Sequence, residues 1–335
     1  MKTSHRATIA GALQRGAPLA LLFGLVVIFS FANPRFLAAQ NLTAIVVQSS
    51  WLIVVAVGVH CSLLLSGIDL SVGSAMFLSA VVVGLGLGHE SPGTCLIASL
   101  GVGGAWGAIN GLLIARFKVP AFIATLAMLF VGRGLGLLLS ATQVIYASAP
   151  VAEFGRASVM GLPVPLVLAG VTLALVWILL KRTPFGPFVQ SIGADSEGAR
   201  KVGVPTLAVT FGAYVLCGAL AGLGGFISFS QTSSASPAFG QNAEFLAIAA
   251  AVLGGTSLSG GRGEAWAALL GALVITTVQN GLVMMNANPY AYPVITGAVI
   301  FFAALLDVVR SRSEGASAKG ARRLGRMSAS IASTP

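Results

Sequence analysis

No lysine or arginine occurs between Arg35 and Arg116, and the interval is dominated by Val, Leu, Ile, Ala and Gly. Apolar stretches of this kind recur along the whole chain. A bilayer core is about 30 Å thick and takes about 20 apolar residues as helix. In water the same chain could not build a surface, because only 8% of its residues are charged while 56% are hydrophobic. Soluble domains carry roughly a quarter charged residues. The expected fold class is therefore an all-α integral membrane protein. Glycine at 42 of 335 residues fits that class, since small residues let membrane helices approach closely.

Cutting the chain at its turns and charges gives about ten transmembrane helices, near 17–33, 43–65, 68–88, 94–115, 119–140, 164–180, 206–229, 244–259, 264–286 and 290–309. The weakest cuts are at Gly67 and across 255–263, where glycines mark broken or re-entrant helices as readily as clean ends. The first apolar run, Ala17 to Ala32, is longer than a signal-peptide core and has no clean cleavage site, so it reads as a retained span. With residues 1–16 in the cytoplasm, Lys2, Arg6, Arg15, Arg116, Lys118, Lys181, Arg182, Arg200, Lys201, Arg262, Arg310, Arg312, Lys319, Arg322, Arg323 and Arg326 all fall inside. Arg35 and Arg156 fall outside, and Arg133 lies within a span. Basic residues favour the cytoplasmic face of membrane proteins, so both termini are expected there. This distribution accounts for the net charge of +10 and excludes nucleic acid as its explanation. The organisation is then a cytoplasmic N-terminus (1–16), a transmembrane domain (17–310) and a basic tail (311–335). That tail has no apolar periodicity and is expected to be disordered, resting on anionic lipid. Cys61, Cys95 and Cys217 sit in separate apolar segments and read as small core residues.

An internal echo joins GAINGLLIARFKVPAF (107–122) to TVQNGLVMMNANPYAY (277–292), each with Asn-Gly-Leu followed by a proline. The two copies fall on spans that run in opposite directions, as an inverted repeat would place them. Three matched residues also arise by chance.

The longest and most charged cytoplasmic loop is 181–206. Residues 191–202 predict one short helix within it. Asp195 and Glu197 lie in its first turns and Arg200 and Lys201 in its last, which suits the helix dipole. Pro187 and Pro205 bracket it and Gly203 can cap it. Such a helix is either a handle for a soluble partner or a solvated connector. Asp69 is the acidic group of an apolar stretch, flanked by Gly67 and Gly73 with the hydroxyls of Ser66, Ser71 and Ser74 nearby. As an N-cap it would be solvated by backbone N–H groups and the dipole; as a gate or pathway residue it would face a water-filled cavity. Arg133 either anchors structure, by snorkelling or by pairing with Glu153, Glu244 or a helix end, or serves a pathway. Glu244 opens its span in the same capping arrangement. The glycine-rich 254–263 lacks the Gly-Lys-Ser/Thr of a phosphate loop. His5, His60 and His89 belong to no catalytic motif, so this chain is not expected to be an enzyme.

Glu197-Gly198-Ala199-Arg200-Lys201-Val202-Gly203 is similar to the Glu-Ala-Ala-x-x-x-Gly loop of ABC importer permeases, with Gly198 in place of an alanine. GIDLSVGSAM (67–76), VPAFIATLAMLFVGRG (119–134), LGGTSLSGGRGEAWAALLGALVITTVQNGL (253–282) and AVIFFAALLDVVR (298–310) resemble segments of the ribose/xylose/galactose-type permeases. The resemblance runs in order from about residue 40 to 310. It implies a monosaccharide permease that works by alternating access in the bacterial inner membrane, the sugar being a pentose or a relative of one. Ala194, Glu197, Gly198, Ala199 and Gly203 would then belong to a coupling helix seated in an ATPase subunit, with Arg262 and Glu264 as a second contact. Asp69, Ser71, Arg133 and Glu244 are the gate or pathway candidates. The implied partners are ABC ATPase subunits carrying ATP and Mg, a second permease subunit, and an external sugar-binding protein. Two other readings stand beside it: a branched-chain amino-acid permease, and an ion-coupled transporter using Asp69, Glu244 and Arg133.

Overall fold

The computed structural model describes residues 18–87 and 90–292, with scattered positions from 294 to 305. The expectations for residues 1–16, for most of the span at 290–309 and for the tail at 311–335 lie outside the described residues. Within them the chain is helical: α1 (Pro18–Ala32), α2 (Ala39–Leu64), α3 (Val72–Gly86), α4 (Pro92–Ala115), α5 (Ala121–Leu139), α6 (Ala149–Arg156), α7 (Val164–Arg182), α8 (Phe185–Ala194), α9 (Ser196–Lys201), α10 (Thr206–Thr232), α11 (Ala243–Leu253) and α12 (Ala265–Met284). Six of these are long and apolar enough to cross a membrane. Two minimal strand pairs complete the description: β1 (Ile145–Tyr146) with β4 (Ser234–Ala235), and β2 (Ser158–Val159) with β3 (Leu162–Pro163).

Two helices form the centre. From Leu52 to Leu64 every residue of α2 is buried, and from Leu220 to Ile227 the same holds for α10. A helix that is apolar all round belongs inside a bundle. By contrast α4 buries one stripe, Cys95, Ser99, Gly103, Gly107 and Gly111, and turns Ile97, Ile109 and Leu112 outward. In lipid, apolar residues on the outer face are solvated by hydrocarbon and cost nothing.

Glycine decides how close α4 and α10 come. Gly103 and Gly107 face Gly218 and Gly222, and a Cβ on any of them would strike backbone of the opposite helix. Apolar side chains gain little from leaving lipid for protein, so close van der Waals contact has to hold membrane helices together. The packing also shows a correspondence. As α4 and α3 pack on α10, so α12 and α11 pack on α2; α3 lies on α4 as α11 lies on α12.

The helices α3 and α11 differ from the sequence expectation. The span expected at 68–88 is helical only from Val72, and the one expected at 244–259 stops at Leu253. At 1.5 Å per residue they are about 22 and 16 Å long, short of the bilayer core. Past Leu253 the reason is the glycine content that made that cut weak, since the chain turns at Gly255, Gly260, Gly261 and Gly263, all at positive φ; before α3 the Asp69 carboxylate takes the Ser71 N–H in place of a helix bond. The two short helices start beside each other, with Gly73 packed on the Gly240 carbonyl and the Glu244 carboxylate.

Helix ends gather at two opposite faces. One face brings together 64–67, 115–121, 192–206 and 254–264, through contacts such as Lys181 to Glu264 and Ser66 to Gly193. It carries Arg116, Lys118, Lys181, Arg182, Arg200, Lys201 and Arg262. The other face joins β1 to β4, Arg156 to Ser233 and Asn33 to the Met284 carbonyl.

The glycine contact gives the first prediction. Gly107→Val should cost about 1–3 kcal/mol by overpacking, lowering the thermal unfolding midpoint in detergent. Gly101→Val, on the open side of the same helix with nothing within 4 Å, should leave that midpoint where it is.

Candidate functional site

The loop 181–206 departs from the single helix expected over 191–202. Two helices meet at Asp195, whose backbone is extended (φ −159°, ψ 97°). Its carboxylate explains the break. Asp195 Oδ1 accepts from Glu197 N (3.1 Å) and Gly198 N (2.9 Å), so α9 starts afresh with its own N-cap. An aspartate in that role stabilises a helix start by about 0.5–2 kcal/mol relative to alanine. Gly198 follows from the same contact, because a Cβ there would press on the Asp195 carboxylate. At the far end Gly203 takes φ +86°. The N–H groups of Gly203 and Val204 return to the Arg200 and Ala199 carbonyls, a Schellman closure.

Of the coupling candidates, Ala194, Glu197 and Gly203 are exposed, and Gly198 is half-buried. Ala199 is 5% exposed and faces the protein's own core, so only part of the motif is presented outward. Glu197 pairs with Lys201 one turn on (3.0 Å), with both side chains well exposed. Val202 is 81% exposed at the end of α9, an outward apolar residue that the motif comparison did not single out.

The platform made by α8 and α9 is tied to the core at Gly193. A Cβ on Gly193 would strike the Leu64 carbonyl at the end of α2. Ser66 Oγ lies 2.9 Å from the Gly193 carbonyl and 2.6 Å from the Ser259 carbonyl, and Gly261 N donates to Leu64 O (2.9 Å). Three segments remote in sequence thus meet at Ser66, the second residue past α2. Beside them opens a cleft of about 250 Å³, lined by Ser66, Gly67, Lys118, Ser196, Thr210 and Tyr214 among others.

Asp69 lies deeper, fully buried. It faces protein, not lipid, yet it is not the N-cap expected of it. Ser71 holds that position for α3, without a side-chain cap bond. Asp69 Oδ1 accepts from Ser71 N (2.9 Å) and Ser71 Oγ (2.8 Å), a side-chain turn that replaces helix across the break. Ser71 Oγ receives Asn110 Nδ2 from α4 at 2.7 Å. The Cys217 thiol of α10 also reaches the Asp69 carboxylate; Asn110 Oδ1 and the Tyr214 hydroxyl are buried without hydrogen-bond partners among the described residues. Asn110 and Tyr214 were not expected here from sequence; the Asn-Gly-Leu echo was the only signal touching either.

Arg133 and Glu244 form a second group on the other side of α3. Arg133 donates to the Phe239 carbonyl and lies 5.1 Å from the centroid of the Phe77 ring, so its hydrogen bond goes to backbone and not to Glu153 or Glu244. Glu244 is the second residue of α11, not its cap; Asn242 takes that place with φ +63°. Its Oε2 is buried without a hydrogen-bond partner among the described residues. The four gate candidates therefore divide into Asp69 with Ser71 and Arg133 with Glu244, with the first turns of α3 between them. Of the second-contact candidates, Glu264 is ion-paired with Lys181 at 2.7 Å with both side chains partly exposed, and the Arg262 carbonyl accepts from Ser257 N (3.0 Å).

Asp69→Asn keeps an acceptor for Ser71 and should stay close to wild-type stability. Asp69→Ala strands the buried Ser71 N–H and should cost about 1–3 kcal/mol. Thermal unfolding in detergent separates the two. Equal loss in both variants would show that the charge, not the turn, is what the position needs.

The family profile described as "Branched-chain amino acid transport system / permease component" matches residues 41–304. The ribose import permease protein RbsC of Bacillus subtilis (strain 168) is 39% identical over 305 residues, which is 90% of this chain and 95% of the relative. The D-allose transport system permease protein AlsC of Escherichia coli (strain K12) is 34% identical over 292 residues, 86% of this chain and 90% of the relative. The fructose import permease protein FrcC of Rhizobium meliloti is 33% identical over 300 residues, 86% and 83% respectively. No solved structure matches. With a profile spanning most of the chain and relatives aligned over nearly their whole length, the chain belongs to the ABC importer permease family that these sugar permeases share.

Proposed function

We propose that this chain is the membrane-spanning subunit of a bacterial ABC importer, and that it moves a monosaccharide inward by ATP-driven alternating access. The observation that carries the sugar assignment is the run of relatives for ribose, allose and fructose, each aligned over more than four-fifths of this chain. The profile description names branched-chain amino acids, which makes an amino-acid substrate the second reading. Uptake of labelled ribose against labelled leucine, with the cognate binding protein, separates them.

ATP and Mg are held by a separate ATPase subunit in this reading. A second permease subunit and an external binding protein complete the importer. The face bearing Arg116, Lys118, Lys181, Arg182, Arg200, Lys201 and Arg262 is the cytoplasmic one, in line with the basic bias of that side. In this reading the chain makes about ten passes of the inner membrane, two of them built on the short α3 and α11, with both termini in the cytoplasm. The reciprocal packing of α2 with α11 and α12 and of α10 with α3 and α4 supports an inverted repeat. On the cytoplasmic face Ala194, Glu197 and Val202 point away from the core and are the surface offered to the ATPase. Gly198, Ala199 and Gly203 shape α9 from behind, and Arg262 and Glu264 flank it. Asp69, Ser71, Arg133 and Glu244 hold the half-helices whose movement would gate the path.

Two measurements check this. Glu197→Lys and Val202→Asp, both on exposed positions, should leave membrane abundance unchanged. Each should lower binding-protein-stimulated ATP hydrolysis about tenfold, the equivalent of roughly 1.4 kcal/mol of docking energy. Unchanged stimulation in both would remove α9 from the interface. For the topology, Met160→Cys (Met160 is 99% exposed) should label with an impermeant thiol reagent from outside. Ser196→Cys should label only after permeabilisation. The native cysteines are buried and should contribute little background.

A further inference from the structure

The Ser66 hydroxyl stands within bonding distance of two carbonyls but has one hydrogen to give. One carbonyl is Gly193, in the last turn of α8 (2.9 Å); the other is Ser259, in the loop between α11 and α12 (2.6 Å). The Gly193 carbonyl is free to take this donor for a local reason. In an unbroken helix the Gly193 carbonyl would accept from Glu197 N, four residues on. The break at Asp195 diverts that N–H to the Asp195 carboxylate, which leaves Gly193 with an orphaned helix-end carbonyl. Ser259 lies in a glycine-rich turn, where Gly260 and Gly261 have positive φ.

Ser66 is held in place by the closure of α2, in which the N–H groups of Ser66 and Gly67 return to the Leu63 and Ser62 carbonyls. Its φ is +61°, a left-handed conformation that a non-glycine residue adopts at a cost. It is the second residue past α2, and five residues on stands Ser71, the partner of Asp69 at the entry to α3. Ser66 and Ser196 also line the same cleft, so the platform has open space beside the joint.

We propose that Ser66 is a positioning residue of the transport cycle, passing its single hydrogen between the Gly193 and Ser259 carbonyls as the α8–α9 platform moves. This rests on the reading of α9 as the ATPase contact. The exchange links the platform to the break before α3 and to the loop that carries α11 into α12. Ser66 thereby acts beside the bond from Gly261 N to the Leu64 carbonyl and the Lys181–Glu264 pair in linking the platform to both half-helices.

The test uses the full importer, permease with ATPase and binding protein, in proteoliposomes. Ser66→Gly removes the hydroxyl and relieves the left-handed strain; Ser66→Ala removes the hydroxyl alone. Each is combined with Ser196→Cys, and a thiol–amine crosslinker reports whether the ATPase sits on α9. The expected result for Ser66→Gly is undiminished thermal stability, retained crosslinking, and a rise of roughly tenfold in ATP hydrolysed per sugar imported. An unchanged ratio with crosslinking retained overturns the role of Ser66 and leaves the ATPase assignment standing. Loss of thermal stability in Ser66→Gly overturns it too, by showing that the hydroxyl only holds the fold. Absence of crosslinking with Ser66 intact removes α9 as the contact, and the role of Ser66 falls with it.

Discussion

A helix broken inside hydrocarbon frees backbone groups that no water can reach, and each left unpaired costs several kcal/mol. This chain breaks two such helices, α3 and α11, and its polar residues are disposed around that fact. The Ser71 N–H at the entry to α3 is taken by Asp69. The Phe239 carbonyl, in the approach to α11, is taken by Arg133. The Leu64 carbonyl at the end of α2 accepts from Gly261 N. Charged residues that look misplaced in apolar sequence are thus stand-ins for the backbone partners that a continuous helix would have supplied.

Around these breaks the scaffold is built by proximity, not by side-chain bulk. The α4–α10 contact runs through Gly103, Gly107, Gly218 and Gly222 with backbone against backbone. The α11–α12 contact repeats the device on a smaller scale, where Gly254 and Gly271 meet the Ala267 and Ala250 carbonyls. Contacts of this kind are rigid, because a small shift on either side brings atoms into overlap. The half-helices share this packing, with Gly225 of α10 against the Met76 backbone of α3, whereas the α8–α9 platform meets the 254–264 loop and the end of α2 through hydrogen bonds of Ser66 and Gly261.

Much of this architecture was legible beforehand. The apolar runs located the described membrane helices to within a few residues at most ends, since hydropathy over about 20 residues is enough to place a span, while the short α6 had no such signal. Glycines at 67 and 255–263 marked the two places where helix was in doubt, and helix is interrupted at both. The charge order of 195–201 pointed to a capped helix. The helix it points to is too long, because the Asp195 carboxylate takes the Glu197 and Gly198 N–H groups and starts a second helix. Asp69 was placed at a helix start by the same reasoning and sits two residues outside it. Ala199 matched the coupling motif and faces inward.

Hydropathy, charge and glycine content act on one segment at a time, so the sequence alone was enough for the membrane class, the approximate spans, the basic face and the candidate coupling loop. The family resemblance was readable for the same reason, carried by contiguous stretches such as 67–76 and 253–282. Which carbonyls Ser66 meets is a different kind of fact. It depends on residues 66, 193 and 259 arriving at one point, and nothing in the local composition of any of them encodes the other two. The same holds for Asn110 on Ser71, Arg133 on Phe239 and Glu264 on Lys181. Pairings between distant segments are settled only when the helices pack, because the packing geometry selects the partner each polar group will find.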